Sequence, residues 1–93
     1  MKGCKQDLLT TALRVIRARR RQYGDPAAEF GKVAALWGAI LDTRVEPRQV
    51  GLCMAAAKLV REAHQHRRDN LVDLCGYAAC VAELYHKKGK HHA

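Results

Sequence analysis

Aromatic side chains are scarce in this chain: one phenylalanine, one tryptophan and three tyrosines among 93 residues. A core built on rings is thereby excluded. What remains is an aliphatic, alanine-rich interior, a composition that favours helices. No apolar run approaches the ~20 residues that span a bilayer, so no membrane association is expected. The four cysteines, Cys4, Cys53, Cys75 and Cys80, lack any CxxC spacing. Zinc and redox motifs are therefore absent. The cysteines read as three small core residues and one terminal thiol in a reducing compartment. No nucleophile elbow, phosphate loop or metalloprotease motif is present. The histidines form no metal set: His64 and His66 face apart on a helix, and His91 and His92 fall in the tail. The basic N-terminus is interrupted by Asp7 and no small-residue cleavage site follows. A signal peptide is not expected, and a cytoplasmic location is.

What is there is charge of one sign. Seventeen Lys and Arg face nine Asp and Glu, a net charge of +8, which calls for anionic partners. Arg14, Arg17, Arg19, Arg20 and Arg21 cluster near the start, Arg61, Arg67 and Arg68 in the middle, and Lys87, Lys88 and Lys90 at the end. Phosphates suit such a chain, on nucleotides or on nucleic acid. A single domain over 1–93 is expected, and one this small buries a modest fraction of its surface, so homo-oligomerisation is expected too.

Periodicity predicts four helices. The first covers 6–22, with Leu9, Ala12, Leu13 and Ile16 as its apolar stripe, widened by Leu8 and Val15. Gly24 fits a left-handed C-cap, Asp25 an N-cap and Pro26 a first helical position. Helix 26–41 follows, with Phe30, Val33, Ala34, Trp37 and Ile40 or Leu41 inward, Trp37 as a core anchor. Helix 47–66 directs Val50, Cys53, Met54, Ala57, Val60 and Ala63 inward. Helix 70–86 is the one around which the rest is organised. Asp69 reads as its N-cap, Asp73 lies on the same face, and Cys75, Gly76, Ala78, Ala79, Cys80 and Ala82 make it narrow enough to stand at the centre. Residues 87–93 read as a flexible basic tail. No strand pattern is present. The fold class is all-α: a four-helix bundle with mostly antiparallel neighbours.

Two constellations carry possible chemistry. Lys58 and Arg61 share a face of the third helix, and the short connection brings them toward Asp69 and Asp73. The cations suit phosphate oxygens and the carboxylates suit Mg²⁺. The same four residues also make sense as a salt-bridge network with no ligand. At the Tyr23-Gly24-Asp25 corner, Tyr23 suits contact with a base, and Glu29 with Asp25 adds carboxylates, although capping explains the corner by itself.

Taken in order, RRQYGDPAAEF, VAALWGAIL, VGLCMAAAKLVREA and RRDNLVDLCGYAACVAEL resemble a family of small phage and prophage proteins, over about residues 19 to 85. More remotely, that family is similar to the all-α nucleoside triphosphate pyrophosphohydrolases of the MazG and dimeric dUTPase type. The resemblance implies an oligomeric MazG-like helical bundle with Mg²⁺ on carboxylates of two adjacent helices. Those enzymes carry glutamate-x-x-glutamate on one helix and glutamate-x-x-aspartate on the next. Here Lys58 and Arg61 stand in the first place, and Asn70 and Asp73, with Asp69 adjacent, in the second.

The combined reading is a nucleotide-binding protein, with Lys58 and Arg61 on phosphate, Tyr23 on the base, and Asp69, Asp73 and Glu29 on Mg²⁺. In its hydrolytic version it is a degenerate or altered Mg²⁺-dependent pyrophosphohydrolase. Two other readings stand beside it: a nucleic-acid-binding module using Arg17, Arg19, Arg20 and Arg21, and a purely structural oligomer.

Overall fold

The computed structural model describes residues 3–88. They form four helices: α1 (Cys4–Tyr23), α2 (Pro26–Leu41), α3 (Pro47–His64) and α4 (Arg68–Lys88). The expected all-α bundle is what the chain adopts, and no strand occurs among the described residues. Helix ends differ from expectation by a turn or less. α1 begins at Cys4, α3 ends at His64, and α4 begins at Arg68 and runs through Lys88. The expected tail at 87–93 thus starts inside α4, and beyond Lys88 it lies outside the described residues. Among those residues no helix is long and apolar enough to cross a membrane.

The punctuation works as its chemistry requires. The Asp25 carboxylate accepts the Ala27 N–H at 3.1 Å, capping α2 behind Pro26. Gly24 closes the helix as expected but not in the left-handed helical conformation: it sits at φ 87° and ψ −155°, a backbone region open in practice only to glycine. Its N–H closes α1 on the Arg20 carbonyl at 2.9 Å. At the head of α3, Glu46 and Gln49 form a reciprocal capping box.

α4 packs against each of the other three helices, so its central place is confirmed. The direction of its neighbours is less regular. α3 and α4 are antiparallel: Lys58 meets Asp73 near one end, and Gly51 meets Val81 near the other. α1 and α4 run parallel, because Arg68 bonds Asp7 at their starts and Arg20 bonds Glu83 toward their ends. α1 therefore packs mainly on α4 and not on α2. This leaves a gap between α1 and the α2–α3 hairpin.

Small residues set the helix spacing, but not those first expected. Ala78, Ala79 and Ala82 of α4 face solvent. The close approach is made by Gly51 of α3, which is buried. A Cβ placed there would fall 2.5 Å from Val81 Cγ2 and 3.1 Å from Phe30 Cε2. The core gathers Phe30, Ala34, Val50 and Leu84, with Val33, Trp37, Met54, Tyr77 and Cys80 packed around it. Trp37 is an anchor of this core, as expected.

Three apolar stripes are rotated from expectation. In α1 the inner seam is Leu8, Ala12, Val15 and Ile16, while Leu9 and Leu13 are exposed. In α2, Ile40 and Leu41 face out. In α3, Cys53, Ala57, Val60 and Ala63 all face out, and Val50, Gly51 and Met54 face in. The cause is composition. α2 and α3 are apolar nearly all round, so periodicity alone does not choose a face. Cys53 joins Cys4 on the surface, Cys75 and Cys80 are half-buried, and all four thiols are free.

Candidate functional site

The gap beside α1 is a cleft of about 420 Å³, within the size range of small-molecule sites. Its walls come from all four helices and include Ile16, Val33, Met54, Val72 and Gly76. Phe30 and Tyr77 form an aromatic wall, their ring centroids 6.4 Å apart and their planes tilted by 30°. The polar groups of the lining are Arg19, Arg20, Tyr23, Glu29, Asp73 and Tyr77.

Asp73 is the electrostatic centre. One oxygen lies 2.8 Å from Lys58 Nζ of α3, and the other 3.7 Å from Arg19 Nη2 of α1. Lys58 and Asp73 side chains are only 17% and 16% exposed, whereas the Arg19 side chain is 58% exposed. The first contact is thus a largely desolvated ion pair, and the second is a longer contact from a solvent-exposed cation. Next along α1, Arg20 bonds Glu83 at 2.8 Å, which raises the Arg20 pKa above its ordinary value. Burial, followed by the nearby Glu83 and Glu29, pushes the Cys80 thiol up, so it stays protonated.

Several residues expected from the sequence therefore converge: Tyr23, Glu29 and Asp73 line one cleft, and Lys58 reaches Asp73. Two stand apart. Arg61 is exposed and lines a separate depression with Val60, His64, Gln65, Arg67 and Asn70. Asp69 is exposed in the first turn of α4, which starts one residue before it, so it does not serve as the N-cap. Among the described residues no three His, Cys, Asp or Glu side chains gather as a metal site.

Arg19 and Arg20 belong to the cleft, although the sequence points to them only as part of a basic cluster suited to nucleic acid. The available signal was position. They sit at i, i+3 and i, i+4 from Ile16, at the edge of the buried seam.

A second omission is Glu62, which holds the α3–α4 connection. Its Oε1 accepts the Arg67 N–H at 3.0 Å and the Asn70 amide at 3.3 Å, and its Oε2 pairs with His66. Asn70 is buried, and its amide also donates to the Gln65 carbonyl at 3.5 Å. A carboxylate in the last turn of a helix opposes the dipole, so such a residue needs a specific partner. That misfit was readable in the sequence. The hydrogen bond from His66, then that from Arg67, hold the Glu62 carboxyl below its ordinary value of 4.5. Because the folded value is the lower one, this stabilisation is complete above the unfolded pKa and fades as pH falls through the folded one. Thermal melts from neutral pH to below 4 are expected to show a fall in Tm that is shallower in Glu62→Gln. Equal acid slopes in both proteins would contradict this role.

The chain also has relatives. It is 30% identical over 82 residues to the Gene 55 protein of Mycobacterium phage D29, covering 86% of this chain and 54% of that protein. It is 32% identical over 80 residues to the Gene 55 protein of Mycobacterium phage L5, covering 83% and 51% respectively. The chain thus spans about half the length of these curated phage relatives. No solved structure matches it significantly. Residues 7–85, which contain the whole cleft, match the family described as a domain of unknown function, DUF6378, and the chain belongs to that family.

Proposed function

We propose that the cleft binds a nucleotide, with the base against the Phe30–Tyr77 wall and the phosphates at its cationic mouth. The observation that carries this reading is the meeting of an apolar cleft of about 420 Å³ with Arg19, Arg20 and Asp73 in its lining, Asp73 being paired in turn with Lys58. An apolar cavity with a few convergent polar groups is the usual form of a small-molecule site. Arg19 and Arg20 offer planar, fork-shaped donors suited to phosphate oxygens. They replace Arg61 in the phosphate role, while Lys58 keeps it. Tyr23 stands at the rim, two-thirds exposed and able to fold over a bound ring.

The residues present do not make a ready-formed Mg²⁺ site, since Asp73 is already paired with Lys58 and Arg19, and Asp69 lies outside the cleft lining. In this reading Mg²⁺ arrives on the nucleotide, which suits an ion that keeps its waters and takes few protein carboxylates. Asp73 and Glu29 are the carboxylates nearest to hand. The likeness to the MazG type enters through the bundle and the two aspartates near the start of α4, Asp69 and Asp73, but a cation stands at Lys58 where that type carries a carboxylate. The site's chemistry therefore supports binding ahead of hydrolysis.

The nucleic-acid reading is weaker because two of its four arginines, Arg19 and Arg20, belong to the lining of the cleft. Isothermal titration with a panel of Mg²⁺–nucleoside triphosphates tests the proposal. Saturable heat is expected with at least one. Arg19→Ala is expected to weaken it about tenfold, the loss of one charge-assisted hydrogen bond. A folded protein giving no heat with any of them would refute it.

A further inference from the structure

We propose that the outer face of α1 holds the phosphate backbone of double-stranded nucleic acid, at a site separate from the cleft. The helix divides its arginines between two sides. Arg19 and Arg20 line the cleft, whereas Arg14, Arg17 and Arg21 do not. Those three are exposed, and no carboxylate pairs with them among the described residues. They fall at i, i+3 and i+7 and so share one face. Ala12 is the buried residue of α1. At about 100° per residue, Arg14, Arg17 and Arg21 stand about 200°, 140° and 180° around the helix from it. They thus form a ridge that points away from the seam packed on α4. Asp7 is the single acidic residue of α1, and Arg68 engages it. From Leu8 to Tyr23 the helix carries no negative charge to neutralise the ridge.

The shape of the ridge selects the ligand. Arg14 and Arg21 lie about 10 Å apart along the axis, at about 1.5 Å per residue. Guanidinium groups strung along a convex face cannot converge on one phosphate, but they can each meet one in a row. A duplex offers such a row, with one charge per about 1.7 Å of its axis, and guanidinium forks suit phosphate oxygens. A protein partner fits less well, because interface cores are depleted of charge and built on apolar or aromatic anchors. This face has only Thr10 and Ala18 among its arginines. Single strands are gripped by stacking bases on aromatic rings, and the nearest exposed ring, Tyr23, belongs to the cleft lining. A helix lying on a membrane needs a free apolar face. The seam of α1 is taken by α4, and Leu9 and Leu13 are the large aliphatics it leaves exposed.

Fluorescence anisotropy of a labelled mixed-sequence duplex, titrated with the full chain over a salt series, tests the proposal. Each neutralised phosphate contributes about −0.9 to the slope of log K against log salt. The variant Arg14→Gln, Arg17→Gln, Arg21→Gln is therefore expected to flatten the slope by about 2.7 and to weaken low-salt binding at least about tenfold. Lys32→Gln with Arg61→Gln and Arg67→Gln removes the same charge from exposed positions elsewhere, and is expected to keep most of the affinity. Helical circular dichroism is expected to be retained in both, and Arg14→Gln with Arg21→Gln serves if the triple variant does not fold. Equal losses in the two triple variants would show attraction to net charge alone and overturn the proposal. So would a wild type that does not bind the duplex at low salt, or one that prefers the single strand or phosphatidylserine vesicles. The ridge variant is expected to keep its heat with Mg²⁺–nucleotide, so failure here is distinguishable from failure of the cleft reading.

Discussion

Asp73→Leu alone is expected to lower unfolding stability by about 3 kcal/mol, because it strands the Lys58 ammonium in a largely desolvated place. Lys58→Met alone is expected to cost a similar amount for the converse reason. The double substitution Lys58→Met with Asp73→Leu is expected to recover most of the loss, since two apolar side chains of matching size can replace a buried ion pair at little cost. The short Lys58–Asp73 contact and its low exposure set the size of this effect. Arg19, well solvated and 3.7 Å from Asp73, is expected to add little. Urea denaturation of the four proteins gives the coupling energy directly. Additive losses would show that the pair does not act as a unit. The stable double variant then separates folding from binding, because it is expected to keep the bundle and lose the nucleotide heat.

The second large effect lies at the helix crossing. Gly51→Val is expected to destabilise by about 3 kcal/mol, near the upper end for overpacking a core. Even the first added carbon would collide with Val81 and crowd Phe30. Higher helix propensity offsets only a few tenths of a kcal/mol of this. Val81→Ala opens space at the same spot, so Gly51→Ala with Val81→Ala is expected to cost at least about 1 kcal/mol less than the sum of the single losses. Strict additivity would mean that Gly51 is not where α3 and α4 come closest.

These two sites show what could and could not be read along the chain. The helices and their punctuation were legible because each signal is local. Asp25-Pro26 and Glu46-Pro47 act on backbone groups one turn away, whatever the tertiary structure. The Lys58–Asp73 pair was legible because a short connection between helices fixes which ends meet. Directions beyond the hairpin were not. Nothing in the Tyr23-Gly24-Asp25 corner states that α1 will lie parallel to α4, yet that arrangement opens the cleft and brings Arg19 and Arg20 to its mouth. The inner faces of α2 and α3 were illegible for a different reason. With apolar residues on every side, only packing partners select which ones are buried, and Val60 and Ile40 lost that selection.

The central claim is that the cleft beside α1 is a nucleotide site. It is tested most directly by amide chemical-shift mapping of the isotope-labelled chain titrated with a Mg²⁺–nucleoside triphosphate. Shifts concentrated at Arg19, Tyr23, Val33, Asp73, Gly76 and Tyr77 are the predicted result. Shifts confined to Arg14, Arg17 and Arg21, or none at saturating nucleotide, would contradict it.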